Sequence, residues 1–181
     1  MPQVNSHLNS ANQQSNWPRG KVLGGCSSIN NMQYVRCDPH DYDNWNLSDW
    51  SFEQMLPYFK KLECADEKFI PKNEKYRNHD PNQGVMNVTM FEDANELHRL
   101  FIQACESSGF RESKDYNAQE SLNGIVSMSQ VSTKDGKRWS TASGYLLPLI
   151  QRKNADILVH AHVCRVKFDQ QKQVTGKNRN V

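Results

Sequence analysis

A pair of glycines, Gly24 and Gly25, followed by Cys26, Ser27 and Ser28, constrains this 181-residue chain more than any other feature. Glycine adopts positive φ without penalty and lets another group come close to the main chain. The small residues behind the pair put backbone N–H groups and hydroxyls at the start of a helical turn, where an anionic or electron-rich group is stabilised. The pattern points to a backbone wrapped around a cofactor. Read alone, a short glycine motif fits a tight structural turn equally well.

The wider run, WPRGKVLGGCSSINNMQYVR over residues 17–36, narrows this reading. It resembles the first signature of the glucose-methanol-choline (GMC) family of flavin oxidoreductases through Gly20, Lys21, Leu23, Gly24, Gly25, Ser27, Ile29, Asn30, Tyr34 and Asp43. Two positions depart from the pattern. Cys26 stands where Gly, Ser or Thr is usual, and Cys37 where a small residue such as Gly is usual. The second departure costs strain if that position needs φ > 0. Further along, GKRWSTASGYLLP (136–148) and ILVHAHVCRV (157–166) are similar to the family's passage from the substrate domain back to the flavin domain.

The resemblance implies a mixed α/β fold, an incomplete FAD-binding Rossmann-like domain with part of the GMC substrate domain. Residues 1–16 would be an extended or disordered lead-in, 17–50 an FAD-contacting segment, 51–152 the substrate-domain portion, and 153–181 a strand returning to the flavin domain with a frayed end. It implies FAD contacts at Val22, Gly24, Gly25, Cys26 and Ser27, an approach of Asn30, Asn31 and Gln33 to the isoalloxazine ring, and a backbone contact from Val163 to the adenine. Some relatives bind flavin covalently through a histidine at the position of Ile29, so here FAD would be noncovalent. The substrate would be a small alcohol that gives a hydride to the flavin. The GxGxxG unit and the catalytic histidine of the family match nothing here and are expected in flanking sequence, which leaves no catalytic residue to assign. The alternative is a noncatalytic remnant or interaction module without bound flavin.

Composition agrees with a chain that holds part of a core. The apolar share is 36%, about 41% with glycine counted, against roughly 45–50% for globular chains. With 22 basic and 20 acidic residues, charge offers no case for a nucleic-acid partner. No apolar run reaches the roughly 20 residues of a membrane span. The five cysteines are scattered and form no CxxC, so neither zinc nor a disulfide framework is expected.

A short turn of helix is expected from Cys26 to Gln33, which the resemblance would place buried beneath the cofactor, and then an acidic, aromatic loop to Trp50. Ser51 and Gln54 form a capping box before a helix at about 52–63, with Pro57 expected to kink it or tighten its first turn. A surface loop is predicted at 65–82 and a strand at 84–90. The clearest amphipathic helix is Asn95–Ser108, with Leu97, Leu100, Phe101, Ala104 and Cys105 as a core stripe and Gly109 to end it. A strand at 126–133, a turn at 134–137, a helix capped by Ser140 to about Leu147, and a strand at 156–169 complete the pattern. His160 and His162 share a face of that last strand with the spacing of two ligands, and a solvated face is the plainer reading. Asp38, Asp41 and Asp43 read as caps rather than a metal site. Cys26 as a nucleophile lacks a nearby histidine.

Overall fold

A computed structural model describes residues 2–3, 15–91, 95–118 and 121–180. The chain divides into two compact units, Met1–Leu147 and Pro148–Val181. Most of the lead-in expected at 1–16 lies outside the described residues; within it β1 (Pro2–Gln3) pairs antiparallel with β2 (Ser15–Asn16).

The first unit is organised around a three-stranded sheet. β3 (Glu63–Ala65) runs parallel to β4 (Met86–Met90), which is antiparallel to β7 (Gln130–Val131). Gln33 extends the sheet by a bridge to Val131. Ala65, Ile70 and Val88 form the apolar centre, with Tyr34, Phe69 and Met90 packed around it. So small a core is supplemented by buried polar groups.

Among the described residues, four of those groups are charged: Arg36, Glu63, Arg77 and Asp115. Arg36, Glu63 and Arg77 are almost fully enclosed. Glu63 takes Arg36 Nη2 at 2.6 Å on one oxygen and Arg77 Nη1 at 2.7 Å on the other, while Arg77 also forks onto Asp115. Gln130 Nε2 donates to Asp115 Oδ1 at 2.8 Å, and Asn117 Oδ1 accepts the Arg36 N–H at 2.8 Å. Two cations and two anions cancel, which offsets the cost of burying them, although Arg36 Nε is buried without a hydrogen-bond partner. Burial opposes the charge on Arg77, but the Asp115 hydrogen bonds and the Glu63 and Asp115 charges raise its pKa above the ordinary arginine value. The segment expected as a surface loop at 65–82 does expose Glu67, Lys68, Lys72, Glu74 and Lys75, but it turns Ala65, Ile70, Tyr76 and Arg77 inward. Arg77 looked solvated because its partner Asp115 is remote in sequence.

Around the sheet, several expectations hold. α2 spans Phe52–Leu62 with both bonds of the Ser51/Gln54 capping box. It runs as one α-helix through Pro57; Glu53 and Pro57 are exposed, so the carbonyl that proline cannot bond lies on the solvent side. α3 (Glu96–Ser107) is capped by Asn95 and closes in a Schellman arrangement, with Gly109 at φ 94° and the Phe110 N–H on Cys105 O. β8 (Thr133–Lys134) and β9 (Lys137–Arg138) form a hairpin whose Asp135 and Gly136, at φ 50° and 70°, suit a type I′ turn.

Other expectations are corrected. The acidic loop before Trp50 contains a short helix, α1 (Pro39–Asp43), because Asp38 accepts the His40 N–H and joins Asp41 in a capping box. The strand expected at 126–133 is broken. Ile125–Val126 (β6) pairs in parallel with Arg111–Glu112 (β5), while Gln130–Val131 turns to β4. The helix after Ser140 is a π-helix over Ala142–Leu146, where Gly144 packs so tightly that a Cβ would come 2.6 Å from Val85 O. The stripe expected as core on α3 is largely uncovered: Leu97 and Phe101 are 70% and 66% exposed, and Ile102 is the residue of the helix that is buried.

In the second unit, β10 (His162–Phe168) and β11 (Val174–Asn180) form an antiparallel hairpin. The strand expected from 156 starts only at His162, because the chain bends at His160, which sits at φ 57°. The two histidines therefore do not share a strand face, and no cluster able to hold a metal occurs among the described residues. No helix among them is long and apolar enough to cross a membrane.

Candidate functional site

The turn expected over 26–33 is tighter and shorter than its pattern predicted. A 3-10 turn covers Gly25–Ser28, and Met32, at φ 62°, directs the chain into the bridge at Gln33. Gly25 N–H donates to Val22 O at 2.9 Å to open the turn, and Cys26 O accepts from Asn30 N–H at 2.9 Å to close it. Val22, Cys26, Asn30, Asn31 and Gln33 are exposed, and Gly24, Gly25 and Ser27 are half-buried.

The glycines do different work. Gly24 and Gly25 lie at φ 88° and 56°. A Cβ on Gly24 would strike Ser28 Oγ and crowd Ala142, and one on Gly20 would run into Gly25 O. A Cβ on Gly25 would meet nothing within 4 Å. Gly20 and Gly24 are thus demanded by the protein's own packing, whereas Gly25 lies open to whatever approaches from outside.

The hydroxyls behind the pair are committed inward. Ser27 Oγ donates to Gly24 O at 2.6 Å and accepts the Thr141 N–H at 2.9 Å. Thr141 Oγ1 donates to the same Gly24 O at 3.1 Å, and Ser28 Oγ donates to Leu23 O at 2.8 Å. Arg138 Nη1 donates to Ser27 O at 3.0 Å and to Asn30 Oδ1 at 2.8 Å, and that Oδ1 also accepts the Met32 N–H at 3.0 Å. Sequence reasoning quoted Arg138 and Thr141 within a motif but assigned them no role; the signal was their place just after the 134–137 turn.

At Cys26 the Gly20 amide and then the Arg19 guanidinium favour the thiolate, holding the thiol below the usual cysteine range. The side chain is exposed, and among the described residues no ion pair or hydrogen bond joins it to a histidine. Cys37 sits at φ 69°, so the position where glycine was expected does adopt the left-handed conformation. Val163 belongs to β10 in the second unit, where it is exposed. Asp38, Asp41 and Asp43 act as caps: Asp38 Oδ2 accepts the Leu122 N–H at 2.7 Å, and Asp43 Oδ1 accepts the Phe52 N–H at 3.0 Å.

A protein-family model described as "GMC oxidoreductase" matches residues 4–178. An alcohol dehydrogenase [acceptor] from Pseudomonas putida is 37% identical over 161 residues, which are 87% of this chain and 28% of that protein. Oxygen-dependent choline dehydrogenase 1 from Chromohalobacter salexigens is 38% identical over 167 residues, 90% of this chain and 29% of the relative. Among solved structures, pyridoxine 4-oxidase from Mesorbium loti superposes with a TM-score of 0.78 at 23% identity, over 97% of this chain and 35% of that one. An FAD-dependent oxidoreductase from Chaetomium thermophilum gives 0.78 at 24% identity, over 93% and 30%. The chain spans under a third of the length of these curated relatives and shares the mixed helix-and-strand fold of the structural neighbours. With the signature turn, the fold and the family match in agreement, the chain belongs to the GMC oxidoreductase family.

Proposed function

We propose that this chain supplies one side of the FAD site of an oxidoreductase acting on CH–OH donors. The observation that carries the reading is the Gly24–Ser28 turn, braced from the protein side while Gly25 and the exposed residues around it stay open. Such a cradle fits a flat, electron-rich group: nothing projects from Gly25, and Asn30, Asn31 and Gln33 carry amides able to hydrogen-bond a heteroaromatic edge. Val22, Gly24, Gly25, Cys26 and Ser27 would line the pyrophosphate and ring, Asn30, Asn31 and Gln33 would orient the ring, and Val163 would meet the adenine. Residues 17–50 and 153–181 would then belong to the flavin domain and 51–152 to the substrate domain. Ile29 has no group able to bond flavin, so FAD is held noncovalently. When bound, FAD supplies the hydride acceptor for an alcohol carbon. The relatives act on alcohols and choline by name, which supports a small alcohol as substrate.

The experiment is flavin content. A chain extended by its flanking sequence at both ends purifies with FAD that acid precipitation releases, and it oxidises an alcohol. The 181-residue chain alone retains no FAD and does not turn over. An extended chain that purifies without flavin and cannot be reconstituted removes the reading. A second reading, a noncatalytic interaction module, is favoured by the uncovered apolar face of α3. Stoichiometric flavin with turnover in the extended chain excludes it.

A further inference from the structure

We propose that Arg138 and Thr141 are positioning residues that set the shape of the cofactor-facing turn and fix which atom of Asn30 points outward; this rests on the FAD reading above. The turn is poorly able to hold itself. It has four residues of 3-10 geometry, and Gly24, Gly25 and Met32 all lie at positive φ. Short 3-10 segments have weak internal bonds, the two glycines leave the backbone free to take other conformations, and a left-handed non-glycine residue such as Met32 persists only where surrounding structure imposes it.

The surrounding structure here is the arm at 138–142. Thr141 engages the turn twice, through its N–H on Ser27 Oγ and its hydroxyl on Gly24 O. Arg138 engages it twice more, at Ser27 O and Asn30 Oδ1. The arm is itself anchored: Arg138 ends the β8–β9 hairpin, the Trp139 N–H donates to Ser132 O at 2.9 Å, and Trp139 Nε1 donates to Val85 O at 2.7 Å. A bulkier residue than glycine at 24 would press on Ala142, so the arm and the turn are also matched in shape.

The consequence for recognition lies at Asn30. Its Oδ1 accepts from two donors, Arg138 Nη1 and the Met32 N–H, which settles the orientation of the amide. The group left for a ligand is the Nδ2 amine, a donor. The site therefore presents a hydrogen-bond donor to an acceptor atom of the flavin, and Arg138 and the Met32 N–H together choose it. Without Arg138 only the Met32 N–H holds the oxygen inward, and the amide is less firmly fixed.

Hydrogen exchange followed by mass spectrometry on the 181-residue chain tests the clamp, with α2 and β4 as internal references. Arg138→Gln and Thr141→Val each speed exchange across 24–32 by about tenfold or more, with the references unchanged. Asn30→Asp, which keeps an oxygen for Arg138 and Met32 but loses the donor, leaves the turn protected. In the extended chain, Arg138→Gln and Asn30→Asp both weaken FAD retention by about tenfold, and Arg138→Lys recovers part of the loss, as a charge-assisted donor should. Unchanged exchange at 24–32 in Arg138→Gln overturns the proposal. So does loosening of α2 and β4 in both Arg138→Gln and Arg138→Lys, which makes Arg138 a support of the whole fold. Unaltered FAD retention beside a loosened turn also overturns it. An extended wild-type chain that binds no FAD fails the functional reading instead, while the exchange measurement still decides the clamp.

Discussion

Arg77 and Asp115 meet through two parallel hydrogen bonds, Nε to Oδ2 at 2.8 Å and Nη2 to Oδ1 at 2.5 Å, across 38 positions of sequence and inside the protein. The fork leaves Nη1 for Glu63, so one planar guanidinium joins the segment after β3 to the turn at 115–118. Removing one member of a buried ion network strands the others, at a cost of about 3–5 kcal/mol. Arg77→Ala should therefore lower the urea midpoint by that equivalent, and Arg77→Lys should recover little, since an ammonium cannot bond bidentately. A loss below about 1 kcal/mol, typical of a surface substitution, would contradict this account.

Cys37 occupies a left-handed backbone position, φ 69°, with a side chain that gains little from being there, since it is exposed. A Cβ in that region costs roughly 1–2 kcal/mol, partly offset when glycine adds freedom to the unfolded chain. Cys37→Gly should raise stability by about 0.5–1 kcal/mol by these figures, and Cys37→Val should lower it. Chemical denaturation of the three proteins is the check.

Asp38 should make the protein acid-sensitive. The Leu122 amide, and then the His40 amide and ring, favour its carboxylate and bring its pKa down to about 2 in the fold. A depressed carboxyl pKa contributes stability above the unfolded value near 3.9, and that stability is lost as pH falls from there toward about 2. Asp38→Asn, which retains an oxygen for capping but does not titrate, should flatten the pH dependence across that window. Thermal melting between about pH 5 and pH 2 measures it.

Gly25 and Gly136 form a matched pair for testing the cradle. Both lie at positive φ, 56° and 70°, and a Cβ on either meets no neighbour within 4 Å. Alanine at each should cost a similar amount, about 1 kcal/mol, from backbone conformation alone. Flavin retention in the extended chain should fall with Gly25→Ala and stay with Gly136→Ala. Equal loss from both would assign the effect to stability rather than to a ligand at Gly25.

The parts of this structure legible in the sequence are those decided by neighbours in the chain. Ser51 and Gln54 reach each other within one turn, Gly109 ends α3 by its own freedom, and Asp135-Gly136 closes a two-residue hairpin. The buried network was not legible, because Arg36, Glu63, Arg77 and Asp115 each look like surface charges until the fold brings them together. The same holds at the candidate site. Gly24 and Gly25 announce a close approach, but Arg138 and Thr141, which hold the turn, lie more than a hundred positions away. The α3 stripe misled for a different reason: periodicity identifies an apolar face without saying what covers it.

Glu63 performs three tasks at once: its N–H ends α2 on Phe59 O, its backbone opens β3 opposite Met86, and its carboxylate sits between two arginines. No connecting residue intervenes between Leu62 and the strand, and the torsions of that junction are held by the Glu63 N–H on Phe59 O and the Val85 N–H on Leu62 O. α2 is a rigid outrigger of the sheet, and its outer residues Glu53, Tyr58 and Lys61 keep a fixed bearing toward β4. Spin labels on α2 and β4 should return one narrow distance, the mark of a helix that can move only when the sheet moves with it.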